Sequence, residues 1–456
     1  MKLAIIGAGC AGLVSARYCL KNDLSCDVFE QTDKLGGVWN YTEKIGVDDD
    51  GLPIHTVMYK DLRTNLPKQL MSYYDFPYPD EGKSFLTQSE VLDYMNRYVK
   101  HFNLLPVMKF HKQVTNITPQ NGKWKLTLID LKTKESEVIE DYDSVLICNG
   151  HYHKPSMPKI EGTKTKESEV IEDYDSVLIC NGHYHKPSMP KIEGMDTFSG
   201  IQMHSNIYHK PSMPKIEGMD TFSGIQMHSN IYRSPERFSR LKVLVIGAGP
   251  SGQDIASKIS AIADKVFLSH RFSGVVRVAP AVIQKPVVKK ISDKLKIDAI
   301  VYCTGYKYDY PFLSEDCRIQ CDGESVKYLY KHIINVEHPT MGFLGICHQI
   351  CPFPVCDVQA QFFLGSLLGR FNLKTKAEMI KEIRDGIEDG TLGKQIHRIA
   401  EKQKDYCDDL AKIGKFRSLP PVLQDLYIYV RKNRNIDDCF RIIDENSYVK
   451  IDCPKN

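Results

Sequence analysis

The chain has 456 residues, enough for two or three ordinary domains, and its apolar fraction of 42% and charged fraction of 26% are typical of soluble globular proteins. Its 60 basic residues nearly balance its 57 acidic ones, so a net charge of +3 gives no electrostatic basis for binding nucleic acid or an anionic membrane. No stretch reaches the roughly 18 uninterrupted apolar residues of a membrane helix, and the short apolar start lacks the features of a secretory signal. We therefore expect a cytoplasmic protein without a membrane anchor.

Strand-like and helix-like patterns alternate along the chain. Buried strands are predicted at residues 3–6, 26–29, 144–148, 242–246, 265–268 and 298–303. Helices are predicted at 11–21, 88–102 and 250–263, another should start near Gln359, and 376–415 is charged and helix-prone. This alternation predicts parallel sheets of the α/β class.

The 14 cysteines lie mostly in apolar runs of a chain too long and too charged to be a disulfide scaffold. We expect buried, reduced thiols. The cluster Cys347, His348, Cys351 and Cys356 lacks a C-x-x-C pair and a second pair of ligands, so no metal site is predicted.

The middle of the chain contains identical internal copies. Residues 132–162 recur at 164–194, and residues 184–208 recur at 208–232. A solenoid repeats at one period with drifting sequence, whereas two offsets with perfect identity indicate a recent tandem duplication or an error in assembling the sequence. Removing the 56 residues 163–218 from the 456 leaves 400 with one copy of each element. We expect 132–162 to keep the strand position and 219–233 to keep the position before the second glycine loop.

The first glycine loop follows a strand, opens a helix and is followed by a second strand ending in Glu30. In such a unit the three glycines make the turn, admit a pyrophosphate and let the helix pack on the strand. Phosphate binds the free N–H groups of the helix start, and the terminal acid binds ribose hydroxyls. We predict dinucleotide binding here, against the alternative of a glycine turn without a ligand. The loop residues are Gly7, Ala8, Gly9, Cys10, Ala11 and Gly12.

The second glycine loop has the same surroundings but no terminal acid. His270 stands as far after Gly247 as Glu30 stands after Gly7, with Ser269 and Arg271 beside it. A carboxylate would repel a 2′-phosphate, whereas arginine pairs with it, so NADPH is predicted rather than NADH unless Arg271 is only a surface residue. The candidate nucleotide-binding residues here are Gly247, Gly249, Ser251, Gly252, Gln253, Asp254, Ser269 and Arg271.

Residues 222–232, FSGIQMHSNIY, stand between the loops and resemble the F-x-G-x-x-x-H-x-x-x-Y/F signature of the flavin-containing monooxygenases. Residues 36–39 match the family's G-G-x-W element, which adds Val38 and Trp39 to the site. The segment Thr64-Asn65-Leu66 matches the one whose asparagine faces the flavin, and Gln359 lies in the late flavin-side helix. The resemblance covers nearly the whole chain once the copies are collapsed, and is closest to shorter insect forms that include N-oxygenases of plant alkaloids.

This resemblance implies two Rossmann-like dinucleotide-binding domains, an FAD domain with an NADPH domain inserted. Residues 1–162 and 311–456 would bind FAD, 241–310 would bind NADPH, 219–240 would be the linker, and 163–218 is the duplicated segment. It also implies that FAD takes hydride from NADPH, holds oxygen as a C4a-hydroperoxide and passes one oxygen atom to an amine nitrogen or sulfide sulfur of a small substrate.

Individual residues keep alternative interpretations. Asn65 is the candidate catalytic residue, although an asparagine at this point can also bond its own turn. His228 is expected mainly to hold the linker, and Trp39 either packs or contacts flavin. A homo-oligomer is possible for the assembly.

Three other functions are weighed against this one. A Baeyer–Villiger monooxygenase would have tryptophan where the signature ends in Tyr232. A disulfide reductase would need a cysteine pair close to one glycine loop, and neither loop has one. The chain could also be an inactive relic disabled by its duplication.

Overall fold

The computed structural model describes residues 1–54, 56–151, 224–270, 274, 276–286, 297–388 and 396–453, together with the main chain of 154–155, 176–179 and 201–204. Two compact units form. The first comprises Met1–Thr42, His55–Lys154 and Lys307–Asn456, and the second comprises Glu43–Ile54 and Pro155–Tyr306. The predicted α/β class is confirmed, because each unit contains a parallel sheet and one unit is inserted into the sequence of the other.

Seven helices are found among the described residues, and most lie where the sequence predicts them. The predicted late helix starts seven residues earlier than Gln359, because Pro352 and Pro354 fit its first turn, where a proline loses no helical hydrogen bond. The helix-prone stretch 376–415 contains two α-helices within its described residues, 376–388 and 396–415. The helices are α1 (Cys10–Lys21), α2 (Gln88–His101), α3 (Pro250–Ile259), α4 (Pro352–Leu367), α5 (Lys376–Glu388), α6 (Gln403–Gly414) and α7 (Pro421–Asn433).

The six predicted strands are confirmed to within two residues. In chain order the strands are β1 (Lys2–Ile6), β2 (Ser25–Phe29), β3 (Met108–Lys109), β4 (Lys112–Gln120), β5 (Lys123–Asp130), β6 (Ser136–Tyr142), β7 (Ser144–Ile147), β8 (Lys154–Pro155), β9 (Ser176–Ile179), β10 (Ile201–His204), β11 (Ile225–His228), β12 (Lys242–Ile246), β13 (Lys265–Ser269), β14 (Val282–Lys285), β15 (Ala299–Tyr302), β16 (Tyr306–Lys307), β17 (Gln320–Cys321), β18 (Val326–Lys327), β19 (Leu329–Tyr330), β20 (Ile334–Asn335), β21 (Met341–Phe343), β22 (Cys439–Ile442) and β23 (Tyr448–Ile451).

The first unit is built on a seven-stranded sheet of order β19-β20-β21-β7-β1-β2-β3. The strands from β21 to β3 are parallel. Side chains of β1 alternate between two cores: Leu3 and Ile5 pack with α1 and α4, whereas Ala4 and Ile6 pack with β5, which contributes Trp124. Both faces are therefore covered, which explains the continuous apolar run of a central parallel strand.

The second unit contains a five-stranded parallel sheet of order β11-β15-β12-β13-β14. Its central strand β12 pairs with β13 on one side and β15 on the other, and α3 follows β12 directly. The carboxyl end of β12 therefore carries the second glycine loop, as β1 carries the first.

The structure distinguishes the sequence copies. Strand β7 lies between β1 and β21, whereas β9, with the same four residues, pairs with β10 in a separate two-stranded sheet. Strand β11 pairs with β15, whereas its copy β10 does not. The prediction that 132–162 and 219–233 keep the structural positions is confirmed for their strands.

The expectation of buried, reduced thiols is wrong at the end of the chain. Cys439 and Cys453 form a disulfide with their Cα atoms 5.2 Å apart. The antiparallel hairpin of β22 and β23 brings them together, since Cys439 lies opposite Ile451. Eleven other described cysteines are free.

Among the residues that the structure describes, no helix combines the length and apolarity that a bilayer crossing requires.

Candidate dinucleotide-binding sites

The first glycine loop requires glycine at two places for reasons of packing. Gly7 has φ +105°, and a Cβ there would lie 2.6 Å from the carbonyl oxygen of Cys148. A Cβ on Gly12 would lie 1.9 Å from the carbonyl oxygen of Gly7. Gly9 differs, because its Cβ would meet only the Cα of Gly37, at 3.9 Å. Protein packing therefore does not require glycine at position 9. The absence of a side chain there leaves open the face where a pyrophosphate would approach.

Helix α1 begins at this loop without a side-chain cap. Gly9 occupies the N-cap position and offers no side-chain acceptor to the first N–H groups. The first turn contains no acidic residue. Such a helix start attracts an anion through its free N–H groups and its dipole, so it fits the pyrophosphate of a dinucleotide.

Glu30 lies at the predicted ribose position and also holds the first glycine loop by a hydrogen bond. Its Oε2 accepts a hydrogen bond from the Ala8 N–H at 3.0 Å. Its Oε1 accepts from the N–H and hydroxyl of Thr32, at 2.9 and 2.8 Å. Glu30 is buried, so these bonds stabilise its charge. Sequence reasoning missed Thr32, whose hydroxyl two residues after the acid was the available signal.

The G-G-x-W element lies against the first loop. The Gly36 N–H donates to the Ala8 carbonyl at 3.0 Å, and a Cβ on Gly37 would lie 3.3 Å from the Gly9 Cα. Val38 is half-buried, and its carbonyl accepts a hydrogen bond from Thr56 at 2.9 Å. Trp39 is half-buried and packs against the core. Packing is therefore at least one of its roles.

The segment with Asn65 is held by its neighbour. The buried Thr64 hydroxyl donates to the Leu66 carbonyl at 2.7 Å and accepts from the Leu86 N–H at 3.0 Å. Asn65 is exposed, and its side chain makes no hydrogen bond within the described residues. Leu66 is half-buried against the core. Because Thr64 performs the turn-stabilising role, the Asn65 amide stays available to a ligand.

Gln359 is enclosed rather than presented at a surface. Its Oε1 accepts from the Gly345 N–H at 3.2 Å and its Nε2 donates to the Tyr406 hydroxyl at 2.9 Å. The Gly345 carbonyl lies 3.0 Å from Nδ1 of His151. A Cβ on Gly345 would lie 3.5 Å from the Ala11 Cβ. Gln359 thus lies behind the first glycine loop: it positions Gly345, and Gly345 lies beside Ala11 of that loop. Sequence reasoning missed Tyr406 as a partner of Gln359 and His151 as a partner of Gly345.

The second glycine loop repeats the packing of the first. Gly247 has φ +102°, and its Cβ would lie 2.3 Å from the carbonyl oxygen of Cys303. A Cβ on Gly252 would lie 1.8 Å from the Gly247 carbonyl oxygen, whereas one on Gly249 would meet nothing within 4 Å. Gly249 is the N-cap of α3 and supplies no side-chain cap. This helix start also fits a phosphate.

Among the predicted residues of the second loop and its helix, one is exposed and others are hydrogen-bonded or half-buried. Ser251 is exposed, and Gln253 donates from Nε2 to the Ala248 carbonyl at 2.8 Å. Asp254 is half-buried and contributes, after burial, to raising the pKa of Tyr232. Ser251 is thus the predicted residue most open to a ligand at this helix start.

The end of β13 supports the loop through its main chain. The Gly247 N–H donates to the Ser269 carbonyl at 2.9 Å. The buried Ser269 hydroxyl donates to the Pro286 carbonyl at 3.1 Å. His270, at the position equivalent to Glu30, lies 3.1 Å from Gln284 through its Nε2. Arg271 lies outside the described residues, as does Phe222 at the start of the signature.

His228 of the signature has a structural role. Its Nδ1 accepts from the Asn230 N–H at 3.2 Å and caps a short 3-10 helix, Ser229–Ile231. Burial lowers the pKa of His228 to about 4. This agrees with the interpretation that it holds the linker. Within the described residues no group of histidine, cysteine and carboxylate side chains could hold a metal ion.

Two dinucleotide-binding folds, each with an uncapped helix start after the central strand of a parallel sheet, define an oxidoreductase that uses two nucleotide cofactors. The model of the flavin-binding monooxygenase-like family matches residues 1–163, 212–281 and 273–433. The chain belongs to this family and is a flavin-containing monooxygenase that uses FAD and NADPH. The match leaves residues 164–211 without a counterpart.

Individual relatives cover most of the chain. Senecionine N-oxygenase of Tyria jacobaeae is 28% identical over 98% of this chain and 91% of its own length. Flavin-containing monooxygenase FMO GS-OX-like 4 of Arabidopsis thaliana is 30% identical over 84% of this chain and 79% of its own. The structure of S-allyl-L-cysteine S-oxygenase from Allium sativum matches with a TM-score of 0.77 at 28% identity, covering 95% and 92% of the two chains. Cyclohexanone monooxygenase matches in fold alone, with a TM-score of 0.54 at 12% identity.

Proposed function

We propose that the protein transfers one oxygen atom from O2 to the amine nitrogen or sulfide sulfur of a small substrate. The observation behind this proposal is the exposed amide of Asn65, which makes no hydrogen bond to any described residue and is held in place by the buried Thr64. Similarity to an N-oxygenase and to an S-oxygenase supports soft nucleophiles of both kinds.

In the first unit, the N–H groups that begin α1 would hold the FAD pyrophosphate. Glu30 would accept a hydrogen bond from a ribose hydroxyl. The backbone of Val38 and Trp39 would close the loop from one side. When bound, FAD would supply the redox chemistry of hydride acceptance from NADPH and activation of O2. Asn65 would orient the reacting groups by donating and accepting hydrogen bonds through its amide. The proposed FAD contacts are Gly7, Ala8, Gly9, Cys10, Ala11, Gly12, Glu30, Val38, Trp39, Thr64, Asn65 and Leu66, with Gln359 acting through Gly345.

In the second unit, the N–H groups that begin α3 would hold the NADPH pyrophosphate. Arg271 would pair with the 2′-phosphate, where a carboxylate would repel it. The proposed NADPH contacts are Gly247, Gly249, Ser251, Gly252, Gln253, Asp254, Ser269 and Arg271.

The test is product analysis with the full chain, loaded with FAD and supplied with NADPH. A tertiary amine, a thioether and a cyclic ketone are incubated separately under ¹⁸O2. We expect one labelled oxygen atom in an N-oxide or S-oxide and none in a lactone. A labelled lactone alone would identify a Baeyer–Villiger enzyme. Failure to bind flavin would identify an inactive relic.

A further inference from the structure

The segment 64–70, which carries Asn65, is hydrogen-bonded to the stretch 79–86. The Lys68 N–H donates to the Ser84 carbonyl at 2.6 Å. The buried Lys68 ammonium donates to two further carbonyls of this stretch, at 2.6 and 2.5 Å. Whatever holds Ser84 in place therefore also holds the segment that carries Asn65.

Strand β22 meets both stretches at one residue. The Phe440 N–H donates to the buried Ser84 hydroxyl at 2.8 Å. The Phe440 carbonyl accepts a hydrogen bond from Nε2 of Gln69. In an antiparallel hairpin, alternate residues direct both main-chain groups away from the partner strand. Phe440 thus offers to Ser84 and Gln69 the two groups that β23 leaves unpaired, and we call these two hydrogen bonds the Phe440 contact.

The Phe440 contact lies against an apolar cluster. The Phe440 side chain is buried with Leu70 and Phe85, and the ring centroids of Phe440 and Phe85 are 6.5 Å apart in an edge-to-face arrangement. Leu66, the neighbour of Asn65, packs on the same cluster. All these residues belong to the first unit. Loss of the contact would leave buried main-chain groups without partners, which is costly where water is excluded.

We propose that Gln69 and Ser84 are positioning residues for oxygen transfer, because they fix the segment of Asn65 on the main chain of Phe440. This inference rests on the proposed function of Asn65. Neither side chain contacts a reacting group; each acts on the place that the Asn65 amide occupies. Without the Phe440 contact, NADPH, O2 and one proton should yield NADP⁺ and hydrogen peroxide, while flavin stays bound at the first glycine loop.

The first measurement is the rate of peroxide release by the flavin-loaded full chain, given NADPH and O2 without added substrate. Gln69→Met keeps the length of the side chain but removes the donor, and Ser84→Ala removes the acceptor. Gln320→Met, at an exposed position of the same unit, is the matched control. We expect a several-fold faster release in the first two variants, as in Asn65→Ala, and the wild-type rate in the control. The flavin content and the KM for NADPH should not change.

The second measurement is amide hydrogen exchange, which reports on the position of the segment itself. In Gln69→Met and Ser84→Ala, the amides of residues 64–70 should exchange at least about fivefold faster than in the wild type, as expected when one ordinary hydrogen bond is lost. The control should match the wild type. If a variant fails to fold, the wild type still decides, because an unprotected Phe440 amide would overturn the Phe440 contact.

The other outcomes are also decisive. Unchanged exchange of residues 64–70 in both variants would overturn the inference. Faster exchange without faster peroxide release would overturn it too, if Asn65→Ala does release peroxide faster, because the Phe440 contact would then be only structural. If Asn65→Ala itself releases peroxide at the wild-type rate, the proposed role of Asn65 fails, and the inference that rests on it fails as well.

Discussion

The Cβ position of Gly12 lies 1.9 Å from the carbonyl oxygen of Gly7, so helix α1 packs on strand β1 with no room for a methyl group. Gly9, three residues before Gly12, has no such restriction. Two glycines of one motif therefore differ: Gly12 allows the helix to pack, whereas Gly9 leaves space beside the helix start.

This difference makes Gly9 and Gly12 a matched pair of tests. Gly12→Ala should destabilise the protein by about 1–3 kcal/mol, because the added methyl overlaps the backbone. Gly9→Val should leave the melting temperature of the flavin-free protein nearly unchanged while abolishing bound flavin. Thermal unfolding and the flavin absorbance per protein measure the two effects. Full yellow absorbance in Gly9→Val would remove the first loop from the FAD site.

Asn65 and Thr64 provide a second matched pair. Asn65→Ala should keep the fold and bound flavin but release hydrogen peroxide instead of oxygenated product, because no residue that the structure describes is hydrogen-bonded to its amide. Thr64→Val should lower stability by about 1 kcal/mol for each of its two hydrogen bonds. Peroxide and product are quantified against NADPH consumed. An unchanged ratio in Asn65→Ala would exclude Asn65 from the mechanism.

Arg271 is expected to set the preference for NADPH. Arg271→Ala should lose a charge-assisted contact worth about 1.5–3 kcal/mol, roughly ten- to a hundredfold in affinity for NADPH, with little change for NADH. Arg277→Ala, in the same unit, is the matched charge control. Titration of each nucleotide gives the affinities. Equal losses for NADPH and NADH in Arg271→Ala would contradict recognition of the phosphate.

A buried histidine pair predicts acid sensitivity of the first unit. The Nδ1 atoms of His332 and His397 lie 3.2 Å apart. Burial lowers the pKa of His332 to about 4 and that of His397 well below its usual value. The unfolded chain takes up these protons near the ordinary value of 6.5, so stability falls as the pH falls from there toward 4.

Each of these histidines should contribute a slope of up to about 1.4 kcal/mol per pH unit in that window. Urea unfolding at pH 7 and pH 5 measures the slope. His332→Phe should be less stable at pH 7 but show a shallower loss on acidification, whereas the half-buried control His338→Gln should show the wild-type slope. An identical slope in His332→Phe would exclude this pair as the cause.

Deletion of 163–218 should improve the protein. Strand β9 duplicates β7 and can compete for its position or pair with another chain. The longer connection itself matters little, since each doubling of loop length costs only about 0.6 kcal/mol. We expect the shortened chain to be more soluble, to bind more flavin and to melt at a higher temperature. Equal melting temperature and flavin content in the full chain would mean that the segment is structurally integrated.

The local parts of this protein follow from its sequence. Strand–glycine–helix units, the acid at Glu30 and the alternation of strands and helices depend on short-range patterns, because neighbouring residues decide backbone conformation and the face that is buried. Even the choice between copies could be predicted, since only eight residues, 234–241, separate residues 219–233 from KVLVI, and an intact hairpin precedes 144–147.

Other features depend on contacts between residues far apart in the chain, and only the tertiary structure decided them. Gln359 is enclosed by Gly345 and Tyr406, which arrive from two other segments. Cys439 meets Cys453 because the hairpin of β22 and β23 brings them together. The motif by itself predicts that Gly12 lets the helix pack and that Gly9 leaves room for a pyrophosphate. Only the position of the neighbouring backbone shows that a Cβ would overlap the Gly7 carbonyl oxygen at Gly12 and would have space at Gly9.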